Sequence, residues 1–232
     1  MISIKNLKKK YNGKYALSIA SLQIEKAECF GLVGNNGAGK TTLFKLILDL
    51  IKASSGYVQI NDVDVSESEQ WKTFTGSYLD EHMLLSFLTP DEYFDALRKI
   101  YGLSEGDLTS HLARFKVFFN GEILGKKKYI RDLSRGNIKK VGIAAALLGE
   151  PSIVILDEPF ENLDPTSQNR LKRLILTERE EKQTTFLISS HDLSHVTDIC
   201  SRIVLLENGK IINDLKDEKE VMALTLAEYF DR

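Results

Sequence analysis

The residues 34–41, Gly34-Asn35-Asn36-Gly37-Ala38-Gly39-Lys40-Thr41, have the composition and spacing of a loop that cradles nucleotide phosphates. Its chemistry accounts for the spacing. Glycines let the backbone curl so that successive N–H groups point into one concavity, and a following helix adds the positive end of its dipole. Lys40 can place a point charge on the outer phosphates, the Thr41 hydroxyl can ligate Mg²⁺, and Thr42 continues into the helix. Such a loop needs a carboxylate opposite it to hold the metal. Asp157 ends the apolar run Ile153-Val154-Ile155-Leu156, where a parallel strand would deliver it to the carboxyl edge of a sheet. Glu158 follows at once, placed to polarise a water for attack on a γ-phosphate.

Elements that could position these groups are legible around them. Ile2-Ser3-Ile4-Lys5, Leu17-Ser18-Ile19 and Leu22-Gln23-Ile24 alternate apolar with polar residues around the turn Asn12-Gly13, which predicts antiparallel strands with one wet face. Cys29-Phe30-Gly31-Leu32-Val33 reads as a buried strand, and Thr42-Leu43-Phe44-Lys45-Leu46-Ile47-Leu48 as a buried helix. Tyr57-Val58-Gln59-Ile60 and Val63-Asp64-Val65, joined by Asn61-Asp62, predict a hairpin. From about residue 86 to 150 the periodicity turns helical. Strand-like runs return at Ile153-Val154-Ile155-Leu156, Thr185-Phe186-Leu187-Ile188 and Ile203-Val204-Leu205-Leu206. A charged helix over about 167–182 makes the first two a parallel crossover unit. The turn Glu207-Asn208-Gly209-Lys210 predicts a last hairpin through Ile211-Ile212.

The chain has 232 residues, 43% hydrophobic and 28% charged, with a net charge of −2. Proteins that grip nucleic-acid phosphates usually carry a basic excess, so no nucleic-acid partner is expected. Lys8-Lys9-Lys10 and Lys126-Lys127-Lys128 read as solvated surface. Cys29 and Cys200, distant in sequence, read as two buried thiols. No apolar run approaches the ~20 residues that span a bilayer, and the start has no signal-peptide pattern. A reducing, cytoplasmic location is expected, with any membrane attachment supplied by another polypeptide.

Together these residues resemble the nucleotide-binding domains of ABC transporters, over about residues 2–212. Leu133-Ser134-Arg135-Gly136-Asn137 resembles the family signature sequence and opens a helical stretch over 138–148. Glu161-Asn162-Leu163-Asp164 falls at the family's D-loop, and His191 at its switch histidine. Tyr11 matches the aromatic that stacks on adenine. The resemblance implies an α/β fold: a P-loop NTPase (RecA-like) mixed-sheet core with an N-terminal antiparallel β subdomain and an inserted helical subdomain. The catalytic lobe would comprise about 1–85 and 151–232, and the helical signature lobe about 86–150. ATP and Mg²⁺ would be the ligands. Tyr11, Gly34, Asn35, Asn36, Gly37, Ala38, Gly39, Lys40, Thr41, Thr42, Ser134, Gly136 and Asn137 would bind nucleotide. Thr41, Glu81 and Asp157 would serve the metal, and Glu158 and His191 hydrolysis. Ser134 also suits an N-cap, and both roles are compatible.

Departures from the family pattern occur at three positions. The usual glutamine between the lobes is Glu81, with Asp80 as its neighbour. The second signature glycine is Arg135, which either adds positive charge across the interface or, the favoured reading, faces solvent or a membrane partner, and the last signature residue is Asn137.

The resemblance further implies two such domains meeting head to tail, each ATP held between one phosphate loop and the other domain's signature sequence. The partner would be a second copy or a close paralogue. An integral membrane permease would hold the pair peripherally on the inner face of the cell membrane. The short layout and modest C-terminal tail are most similar to ABC-2-type systems, which suggests an exporter. A soluble ABC ATPase in DNA repair or translation is the alternative, although its relatives carry long coiled coils or two nucleotide domains in one chain.

Overall fold

The computed structural model describes residues 1–216. Two strands, Ile2–Tyr11 (β1) and Lys14–Ile24 (β2), pair antiparallel across Asn12-Gly13. Both turn residues take positive φ, as a two-residue hairpin requires. Next come Cys29–Val33 (β3), Lys40–Ile47 (α1), Ser55–Ile60 (β4), Val63–Asp64 (β5) and Thr75–Tyr78 (β6). Helices Pro90–Tyr101 (α2), Glu105–Arg114 (α3), Lys116–Phe119 (α4) and Arg135–Ala146 (α5) follow without an intervening strand. The chain then alternates through Ile153–Leu156 (β7), Pro165–Lys182 (α6), Thr185–Ser190 (β8), Leu193–Ile199 (α7), Arg202–Glu207 (β9) and Lys210–Leu215 (β10).

The strands form two sheets. One is antiparallel, in the order β2-β1-β4-β5; the other runs β10-β9-β3-β8-β7-β6 and is parallel except for β10. The parallel strands are apolar on both faces because both faces are covered. Phe30, Leu32, Ile153, Ile155, Leu187, Val204 and Leu206 pack towards α1 and the antiparallel sheet. Cys29, Val33, Val154, Leu156, Phe186, Ile188, Ile203 and Leu205 pack on the opposite side, with α5, α6 and α7. Each fully buried Leu, Ile or Phe contributes about 1.5–3 kcal/mol, so this central sheet is a stiff platform for the groups at its carboxyl edge.

The predicted strands and the 207–210 hairpin are present, with β5 ending before Val65. The long helix starts at Pro165 and the signature helix at Arg135, three residues before its apolar stretch, because Ser134 caps it. Two elements carried no signal in the sequence. β6 is the polar segment Thr75-Gly76-Ser77-Tyr78, made a strand by its pairing with β7, and α7 is a short helix capped by Asp192. Cys29 and Cys200 are both fully buried and meet at an Sγ–Sγ distance of 3.6 Å, with no disulfide between them. The C-terminal tail beyond residue 216 lies outside the described residues.

Candidate nucleotide site

Strand β3 ends at Val33 and the chain curls through residues 34–39 into α1. Gly39 occupies the N-cap at φ 109°, a left-handed conformation that strains any residue with a Cβ. Lys40 heads the helix but turns its ammonium back across the loop, donating to the Gly34 carbonyl at 2.6 Å. The resulting cavity, about 190 Å³, is lined by Asn35, Asn36, Gly37, Ala38, Gly39, Lys40, Thr41 and Thr42, with Ala16 and Glu158. Backbone N–H groups at a helix start beside a lysine suit an anion with several oxygens.

At the carboxyl edge of β7, Asp157 meets that loop. It accepts from the Thr41 hydroxyl at 2.5 Å, and its other oxygen accepts from the Ser189 hydroxyl of β8. Burial pushes the Asp157 carboxyl above its ordinary range, with the two hydroxyls opposing that shift. A cation beside it would relieve the buried charge. A hydroxyl and a carboxylate side by side also fit Mg²⁺, which takes one or two protein oxygens and completes its shell with phosphate and water. Glu81 lines the larger neighbouring cavity, about 420 Å³, together with Asp80, Thr41, Asp157 and Glu158. Asp80 already accepts the His82 N–H at 2.8 Å as a cap.

Glu158 sits among three basic side chains, Lys40, His191 and Lys139. Its Oε1 is 3.1 Å from the Lys40 ammonium, and its Oε2 accepts from the His191 ring at 2.9 Å and from the His191 backbone N–H at 3.2 Å. Since the carboxylate only accepts, the proton in the ring bond sits on His191 Nδ1. From the other side, Lys139 of α5 donates to the Glu158 carbonyl at 2.6 Å. His191 is about half exposed, as a group that meets a ligand from above must be.

Loop, Asp157, Glu158 and His191 are therefore brought together. The signature residues are not. Ser134 caps α5 by accepting the Asn137 N–H at 3.3 Å, and Gly136 packs so closely that an added Cβ would lie 2.8 Å from the Asn162 carbonyl oxygen. Ser134, Gly136 and Asn137 line a separate cleft with Glu122, Asn162 and Asp164. Arg135 is exposed and borders both this cleft and the Asp157 cavity. Tyr11 lies half exposed at the end of the β1–β2 hairpin with Lys9 over its ring; Ala16, not Tyr11, reaches the phosphate cavity.

Two participants were missed in the sequence. Ser189 accepts the Glu158 N–H at 2.9 Å while donating to Asp157, so one hydroxyl orients both carboxylates. Its only trace is the polar pair Ser189-Ser190 at the end of an apolar strand. Lys139 left no distinguishing trace, since Arg135, Asn137 and Lys140 share its helix and Lys140 is equally buried.

Comparison with known proteins identifies the family. The family model described as ABC transporter matches residues 17–161. An uncharacterized ABC transporter ATP-binding protein of Synechocystis is 33% identical over 85% of this chain, which spans 55% of that relative's length. The ABC transporter ATP-binding protein YtrB of Bacillus subtilis is 32% identical over 95% of this chain and 74% of its own. A solved ATP-binding subunit of an ABC transporter superposes with a TM-score of 0.84 at 27% identity, over 98% of this chain and 93% of that one. The chain belongs to the ABC transporter family, as one of its ATP-binding and ATP-hydrolysing proteins.

Proposed function

We propose that two copies of this chain, or this chain and a close paralogue, close around two ATP molecules and drive a separate membrane-spanning subunit. The observation that carries the reading is the separation of the two clefts: the phosphate loop and the signature residues line different cavities of one chain. A single nucleotide on residues 34–42 therefore meets Ser134 and Gly136 only if a second chain supplies them. The start of α5, with its first-turn N–H groups and positive dipole end, suits a γ-phosphate that ADP lacks. ATP would favour the closed pair and hydrolysis would release it.

In this reading residues 34–42 bind the phosphates and Lys40 balances their charge. Thr41, Asp157 and Glu81 would hold Mg²⁺, and the ion would supply charge stabilisation at the phosphates. Glu158 accepts a proton from the attacking water, and His191 holds the Glu158 carboxylate and faces the γ-phosphate. Tyr11 would stack on adenine from the hairpin end.

Among the described residues, no helix is long and apolar enough to cross a membrane. A docking face for a spanning partner is supported by the exposed Met83, Leu85, Phe87 and Tyr129. Segments 86–88 and 130–131 are joined there by backbone bonds from Ile130 to Leu88 and from Arg131 to Ser86. Peripheral attachment to the inner membrane face and outward transport complete the proposal.

The test is sedimentation of the Glu158→Gln chain with Mg-ATP. A dimer that forms with ATP, not with ADP, and disappears on adding Ser134→Arg is expected. A monomer at saturating Mg-ATP, with no paralogue co-purifying, would overturn the reading.

A further inference from the structure

We infer that Lys139 is a positioning residue for ATP hydrolysis, clamping the backbone of Glu158 from the signature helix of the same chain. The inference rests on the reading of Glu158 as the group that accepts the water's proton.

Lys139 is an expensive choice for its place. Helix α5 is buried along most of its length, with Ile138, Val141, Ile143 and Ala144 packed in the core, yet Lys139 is only 8% exposed. A buried ammonium persists only with partners. Its near partner is the Glu158 carbonyl at 2.6 Å, with Glu161 Oε2 at 3.9 Å. Asp157 and Glu81 line the same cavity. Burial still pulls the Lys139 ammonium below the usual lysine range.

The contact falls on a strained residue. Glu158 has φ 47°, the left-handed region that a side chain with a Cβ disfavours. Such a conformation lasts only where the surroundings hold it. Here both ends of the residue are held: Ser189 of β8 accepts its N–H, and Lys139 of α5 donates to its carbonyl. In that conformation the carboxylate reaches Lys40 and His191 at once. Without the Lys139 bond the peptide can relax, and the carboxylate need not stay at the reacting position.

The seat of α5 is firm enough to serve. Three residues beyond Lys139, Gly142 lies flat against the Tyr78 ring, and an added Cβ would come within 2.1 Å of it. Lys139 directs its ammonium to the Glu158 carbonyl and Glu161, with no hydrogen bond or ion pair to residues 34–42, so its removal should spare ATP binding.

The experiment is a double-mutant cycle read by single-turnover hydrolysis, with Lys139→Met, Lys139→Arg and Glu158→Gln on the full chain. Lys139→Met should lower kcat about tenfold with KM for ATP unchanged, and Lys139→Arg should recover most of the loss. In the Glu158→Gln background the same substitution should cost less than about twofold, because its effect passes through Glu158. Equal losses in both backgrounds, a rise in KM without a fall in kcat, or full activity in Lys139→Met would each overturn the inference. Should Lys139→Met fail to fold, Lys139→Gln takes its place in the same cycle. Failure of the Glu158 reading would show separately, as near-normal turnover in Glu158→Gln alone.

Discussion

Replacing Glu158 by Gln separates binding from hydrolysis, and the structure sets the size of both effects. The carboxylate lies 3.1 Å from the Lys40 ammonium, so an incoming phosphate competes with it for that charge. The gross Coulomb attraction is roughly 5 kcal/mol at an effective dielectric constant of about 20. Most of that is offset by desolvation, and the carboxylate remains partly exposed, so a net value of about 1 kcal/mol is appropriate. ATP should therefore bind Glu158→Gln as tightly as the parent or several-fold more tightly. Hydrolysis moves the other way: loss of a positioned general base costs about 10²–10⁴ in rate. The assays are fluorescent-ATP titration and phosphate release on one preparation. Turnover within about threefold of the parent contradicts a general-base effect of that size. Tenfold weaker ATP binding would refute the competition argument.

Two further predictions concern stability. His111 is buried in α3, donates through Nε2 to the Ala144 carbonyl at 2.8 Å, and is pushed by burial down to about 4. The unfolded chain takes up this proton near pH ~6.5, so the stability His111 contributes is full above that pH and is lost as the pH falls towards about 4. Between about pH 7 and pH 5 the loss is about 2 kcal/mol, roughly 4–8 °C in Tm. His111→Gln should flatten this acid response, and an unchanged pH dependence of Tm would show that the residue is not held neutral. Gly142→Ala places a methyl 2.1 Å from the Tyr78 ring, and overpacking of this kind costs about 1–3 kcal/mol. A chemical-denaturation midpoint equal to the parent's would mean that α5 does not sit on β6 as described.

How much was legible follows the range of each signal. The phosphate loop is contiguous, and its glycines and Lys40 announce their chemistry by spacing alone. Asp157 and Glu158 could be read because an apolar strand run carries them to a predictable edge. The alternation in β1 and β2 and the apolar runs of β3, β7, β8 and β9 reflect burial on one face or on both. By contrast, β6 exists because β7 pairs with it, and no local pattern in Thr75-Gly76-Ser77-Tyr78 predicts that.

The sequence by itself determined the class of chemistry: a phosphate-cradling loop with a pair of carboxylates, Asp157 and Glu158, delivered opposite it by an apolar strand. Only the tertiary structure decided who orients them. Ser189 and Glu158 are brought together across β7 and β8, and Lys139 reaches Glu158 from a helix 19 residues upstream. It also decided that the signature cleft stands apart from the phosphate cavity. Neither fact is written locally, because each depends on which elements pack side by side.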